Sequence, residues 1–107
     1  MKRVSYIGTS QFNIFNRGGR VEYNLTEPNE LTWSDERICE HAFHIFNAPD
    51  ELLNDWEKDI RSDARDEKLT YLSVGDTVTI ENEEDGSITS YICENLGWKK
   101  KLTNHDK

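Results

Sequence analysis

The stretch Thr77-Val78-Thr79-Ile80-Glu81 alternates polar and apolar side chains without a break and is dense in β-branched residues. It constrains the fold more than any other part of the chain. A period of two sorts side chains to opposite faces of a pleated strand, and branching at Cβ suits that surface better than a helix. Leu72-Ser73-Val74-Gly75-Asp76 leads into this strand, and Asp85-Gly86 supplies a turn into Ser87–Cys93. Asn95-Leu96-Gly97 supplies a second turn, into Trp98–Leu102. Short turns join antiparallel neighbours, so a three-stranded meander is expected at the C-terminal end. Val78 and Ile80 are expected to share its buried face with Ile88 and Ile92, with Trp98 capping that face.

The N-terminal third also reads as extended. Val4 and Tyr6 alternate with Ser5 and Ile7, and the segments 12–16 and 21–25 flank Arg17-Gly18-Gly19-Arg20. Two glycines in succession provide the positive φ of a tight turn, which predicts a hairpin between those segments. A helix is expected next, with Thr32 as N-cap and Asp35 three residues on. Ile38, Ala42, Ile45 and Phe46 give it a buried stripe that Cys39 and Phe43 widen, and Asn47 and Pro49 close it. Pro49 is expected to open a second helix with Asp50 and Glu51 in its first turn and Leu52, Leu53, Trp56 and Ile60 on its buried face. Residues 62–68 show no apolar period and read as a frayed end or loop. The expected fold is therefore α+β: a small antiparallel sheet, made of an N-terminal hairpin and a C-terminal three-stranded meander, packed against one or two helices. Three Trp, four Tyr and four Phe in 107 residues supply the core of one domain spanning 1–107.

Charge is distributed unevenly. The chain has 21 acidic and 13 basic residues, a net charge of −8. Residues 21–98 hold 20 of the acids against Arg37, Lys58, Arg61, Arg65 and Lys68, while both ends are basic. An anionic middle repels a phosphate backbone, so direct binding of nucleic acid is disfavoured; a basic groove that normally holds nucleic acid would attract it. No apolar run approaches the roughly 18 residues of a membrane span, and Met1-Lys2-Arg3 leads into no signal-peptide core, so a cytoplasmic protein without membrane contact is expected.

Residues with chemical potential are few. Cys39, Glu40, His41 and His44 cluster on the first helix, but they do not form His-Glu-x-x-His and no matching ligand set occurs elsewhere. Gly18-Gly19 lacks the spacing of a phosphate loop, and Cys39 and Cys93 are expected to be reduced and buried. No catalytic residue, metal ligand or cofactor is therefore assigned, and a non-enzymatic role is expected.

Leu72-Ser73-Val74-Gly75-Asp76-Thr77-Val78, followed by Tyr91, Cys93 and Gly97-Trp98, resembles the ending of small accessory proteins of bacteriophages and conjugative elements, including those called YodL-like. The resemblance covers the last third of the chain and, more loosely, the helix before it; the acidic stretch 50–68 and Glu83-Glu84 depart from it. It implies provenance in a mobile element. Together with the charge it leads to one expectation, an inhibitor of a host defence nuclease of the anti-CRISPR or anti-restriction type, a protein that mimics DNA in binding a basic groove. The acidic surface assigned to that role comprises Asp50, Glu51, Asp55, Glu57, Asp59, Asp63, Glu83, Glu84 and Asp85. The alternative is a regulatory or assembly module that binds a protein partner through its C-terminal meander at Tyr91 and Trp98.

Overall fold

The computed structural model describes residues 1–8, 20–67, 69 and 72–101. Among the described residues five strands form one antiparallel sheet: β1 (Lys2–Ile7), β2 (Arg20–Leu25), β3 (Thr77–Asn82), β4 (Ser87–Glu94) and β5 (Gly97–Lys101), in the order β2-β1-β3-β4-β5. The architecture is α+β, with an N-terminal hairpin and a C-terminal meander joined through β1. Val4 and Tyr6 of β1 stand between Tyr23 and Val21 of β2 and Ile80 and Val78 of β3. These six residues form the inner face of those three strands, all of them buried. Among the described residues β2 pairs with β1; segment 12–16 and the Gly18-Gly19 turn lie outside the described residues.

The buried face of β4 differs from expectation by one residue. Val78 faces Tyr91 and Ile80 faces Thr89, so Thr89, Tyr91 and Cys93 point inward and Ile88, Ser90 and Ile92 outward. Ile88 is accordingly 57% exposed. Because strand side chains alternate strictly, a one-residue difference in pairing exchanges the two faces. Glu83–Gly86 form the connecting turn, which sets Asn82 opposite Ser87 and so decides which face β4 presents.

After the short helix α1 (Pro28–Leu31), α2 (Asp35–Asn47) and α3 (Asp55–Asp66) cover the inner face, with a 3₁₀ turn at Asp50–Leu52 between them. The N-cap of α2 is Ser34, whose hydroxyl accepts the Arg37 N–H at 3.2 Å. Thr32 instead closes α1, its hydroxyl donating to the Asn29 carbonyl at 2.7 Å. Ile38, Cys39, Ala42, Ile45 and Phe46 of α2 are buried, while Phe43 is 40% exposed. Pro49 introduces only the 3₁₀ turn. Leu53 is buried and Leu52 is not, and the helix proper starts later, at a capping box between Asn54 and Glu57. It then continues to Asp66, into the stretch read as a loop, because Arg61 and Ala64 continue its buried face beyond Ile60.

The Leu72–Asp76 segment is a structural turn. Asp76 is buried, and its carboxylate accepts the Ser73 N–H at 2.8 Å and the Tyr6 hydroxyl at 3.1 Å. Gly75 holds φ at +97°, a region that favours glycine. At the far end of β1, Gly8 packs closely against the Leu69 side chain, which would have to move to admit a Cβ there.

Candidate functional site

The buried face of α3 sets what its other face can do. At 3.6 residues per turn, Glu57, Ile60, Arg61 and Ala64 turn toward the core, and Asp55, Asp59, Asp63 and Asp66 share the opposite side. All four aspartates are exposed, and none has an ion pair among the described residues. The first three recur every four residues, about 6 Å apart along the axis. Like charges at that spacing destabilise a helix slightly. The capping box offsets this: the Glu57 N–H donates to Asn54 Oδ1 at 2.8 Å and the Asn54 N–H to Glu57 Oε1 at 3.0 Å.

The remaining residues of the expected acidic surface divide into three groups. Glu57 requires a correction. Its residue exposure is 8%, and it faces inward as the reciprocal partner of the cap and of His41. Asp50 is exposed but turned toward Arg61 at 2.8 Å and Arg65 at 3.8 Å, while Glu51 beside it is exposed. Glu83, Glu84 and Asp85 belong to the β3–β4 turn; β1 lies between β3 and the strand β2 on which α3 packs. Glu83 meets Arg3 at 3.5 Å, and Asp85 Oδ1 accepts the Ser87 N–H, which holds its carboxyl below the usual range. Glu84 is exposed. The row on α3 and the acids of this turn therefore belong to separate elements. A cleft of about 440 Å³ at the C-terminal end of α2 is lined by Arg61 and Arg65, but both cations face Asp50.

Between α2 and α3 lies a cluster that the sequence reading placed only in part. His41 Nε2 is 2.9 Å from Glu57 Oε2, and His44 Nε2 is 3.9 Å from Glu57 Oε1. Burial pushes the Glu57 carboxyl up, but the Asn54 N–H and the two imidazoles outweigh it and hold the group below its ordinary value. With Glu57 ionised, His41 carries its proton on Nε2 and donates it to the carboxylate. Trp33, Tyr23 and Trp56 surround the imidazole, their ring centroids 5.2, 6.2 and 6.0 Å away. The Asn54-x-x-Glu57 spacing was the available sequence signal for this arrangement. A depressed carboxyl stabilises the fold above its unfolded pKa of about 4.3 and loses that contribution as pH falls through the folded value. Glu57→Gln is therefore expected to cost roughly 1–2 kcal/mol at pH 7, with the deficit shrinking as pH drops below about 4. Urea unfolding of both proteins between pH 7 and pH 3 measures this; a constant deficit would contradict it.

Tyr91 and Trp98 are half-buried and turned to the inner face. The Tyr91 hydroxyl donates to Asp35 at 2.7 Å and the Trp98 indole N–H to Glu40 at 3.2 Å, which tethers β4 and β5 to α2. They pack against the core instead of presenting an open face of the meander. Cys39 and Cys93 are free and buried, and burial followed by the nearby Asp35 and Glu40 carboxylates pushes the Cys39 thiol up to about 12. At neutral pH that thiol is protonated and a poor nucleophile. Among the described residues no group of three or more His, Cys, Asp or Glu side chains is arranged to hold a metal ion, and no helix is long and apolar enough to cross a membrane. Comparison with protein-family models, with curated proteins and with solved structures finds no match to this chain.

Proposed function

We propose that this chain is a non-catalytic inhibitor that acts in the cytoplasm by seating the acidic outer face of α3 in the basic nucleic-acid groove of a host defence nuclease. It is of the anti-CRISPR or anti-restriction kind that phages and conjugative elements carry, a provenance resting on the Leu72–Val78 and Gly97-Trp98 resemblance. What supports the docking mode is the row Asp55, Asp59, Asp63 and Asp66, exposed and without an ion pair among the described residues. Asp50, Glu22, Glu81 and Glu83 by contrast already face a cation. A surface that served solubility alone would have no need to align like charges along one helix.

Binding of this kind is steered by charge, so the affinity for the nuclease is expected to fall by about tenfold or more between 50 and 200 mM salt. Duplex DNA is expected to compete for the same groove. Titration of purified CRISPR and restriction effectors against the chain at both salt concentrations measures this. A complex that forms equally well at both would rule out the mode.

A further inference from the structure

Trp56 is 39% exposed on α3, yet its orientation is fixed from within. The His41 ring stacks on it with centroids 6.0 Å apart and planes at 21°, and Tyr23 meets it edge-on at 5.8 Å. The same imidazole meets Trp33 edge-on at 5.2 Å, so His41 contacts an indole of the loop before α2 and one of α3. Trp33 already carries a cation, with the Arg37 guanidinium carbon 4.6 Å from its ring centroid. Among the described residues no cation lies over Trp56. Tyr23 Oη and His41 Nδ1, in the same group of rings, are buried without a hydrogen-bond partner among the described residues.

The surroundings of Trp56 have the opposite charge. Asp59 and Asp63 follow it at i+3 and i+7, the spacing that places side chains along one face of a helix. At the far end of that face a groove of about 680 Å³ is lined by Arg20, Val21, Glu22, Asp63, Asp66 and Glu67. Indole is the best natural ring for holding a cation, and a ring already fixed by packing loses little freedom when a ligand arrives.

We propose that Trp56 is the docking point for an arginine of a basic segment of the partner protein. The guanidinium lies over the free indole face with Asp59 as its carboxylate partner, and the cations that follow run past Asp63 toward the groove. This rests on the reading that the α3 face meets the partner, and it adds an aromatic anchor to what would otherwise be a purely coulombic surface. Asp59 offers the two-pronged geometry that a guanidinium matches and an ammonium does not, so arginine is preferred to lysine.

The full chain titrated with the peptide Arg-Gly-Arg-Gly-Arg, and with its lysine counterpart, provides the test, read from the indole N–H resonances of Trp33, Trp56 and Trp98. The Trp56 resonance is expected to move while the other two stay, with the arginine peptide bound about threefold or more tighter than the lysine one. Trp56→Leu is expected to weaken binding about tenfold, and Trp56→Phe, which keeps a ring against His41, to fall between. Should the leucine variant not fold, the phenylalanine variant alone decides. Wild-type affinity in the Trp56 variants, with weakened binding in Asp59→Lys and Asp63→Lys, would overturn the anchor and leave the acidic face standing. Wild-type affinity in both sets would overturn both.

Discussion

Arg61→Ala is expected to destabilise the protein by about 3 kcal/mol. Arg61 is 8% exposed, deep for an arginine. Its Nε donates to the Ile45 carbonyl and one terminal nitrogen to Asp50 Oδ1, each at 2.8 Å, while the other terminal nitrogen donates to the Ala48 carbonyl. Ile45 lies in the last turn of α2 and Ala48 is its C-cap, where helix carbonyls lack intrahelical partners and the helix dipole favours a cation. One guanidinium thus closes α2, holds the 3₁₀ turn and joins both to α3. Removing it leaves those oxygens without their donor and a void in the helical layer. Asp50→Asn is expected to cost less than about 1 kcal/mol, since Asp50 is 61% exposed and solvent screens that pair. Arg61→Lys is expected to recover only part of the loss, because an ammonium cannot reach three acceptors at those angles. Urea unfolding midpoints read all three. A cost under about 1 kcal/mol for Arg61→Ala, or an equal cost for Asp50→Asn, would show that the arginine is held mainly by its ion pair.

The double reversal Asp59→Lys with Asp63→Lys is expected to weaken nuclease binding by roughly 100-fold at moderate salt while leaving the fold intact or slightly more stable. The two effects have opposite signs for one reason. The first new lysine would stand four residues after Asp55 and the second four before Glu67, so two of the three repulsive pairs along the helix become attractive, worth about 0.2–0.5 kcal/mol each, while the pair at 59 and 63 stays repulsive. In the complex the same cations would face a basic groove. Glu36→Lys with Glu94→Lys changes the net charge equally at exposed positions on α2 and β4. That pair is expected to alter affinity less than about threefold. Equal losses from the two pairs would mean that net charge alone matters, and the α3 row would then be a solubility feature.

The C-terminal strands were legible because their signals are local. Alternation at 77–81, Asp85-Gly86 and Gly97 each act within a few residues, and all three strands appear where those signals place them. The apolar stripe of α2 was legible for the same reason. The cap was misplaced to Thr32 because two candidate hydroxyls lie two residues apart and α1 takes the first. The second helix was started too early because Pro49 and two acids satisfy the usual opening, whereas the Asn54 and Glu57 pair satisfies it reciprocally. Its continuation past Ile60 was hidden by burial of a charged residue, which apolar periodicity does not count.

The candidate site was legible as composition and not as arrangement. Counting residues 50–67 shows a concentrated anion, and helical spacing puts Asp55, Asp59 and Asp63 in line. Which carboxylates remain free depends on partners far along the chain: Glu57 on His41, Glu83 on Arg3 and Asp35 on Tyr91. Those partners meet only because β1 enters the sheet between β2 and β3 and the helices pack on one face of it. Strand and helix identity follow from forces between neighbours a few residues apart, which the order of residues records directly. Neutralisation, burial and the stacking that fixes Trp56 arise between groups brought together by the closed fold, so only the tertiary structure separates charges that hold the molecule together from those it presents to a partner.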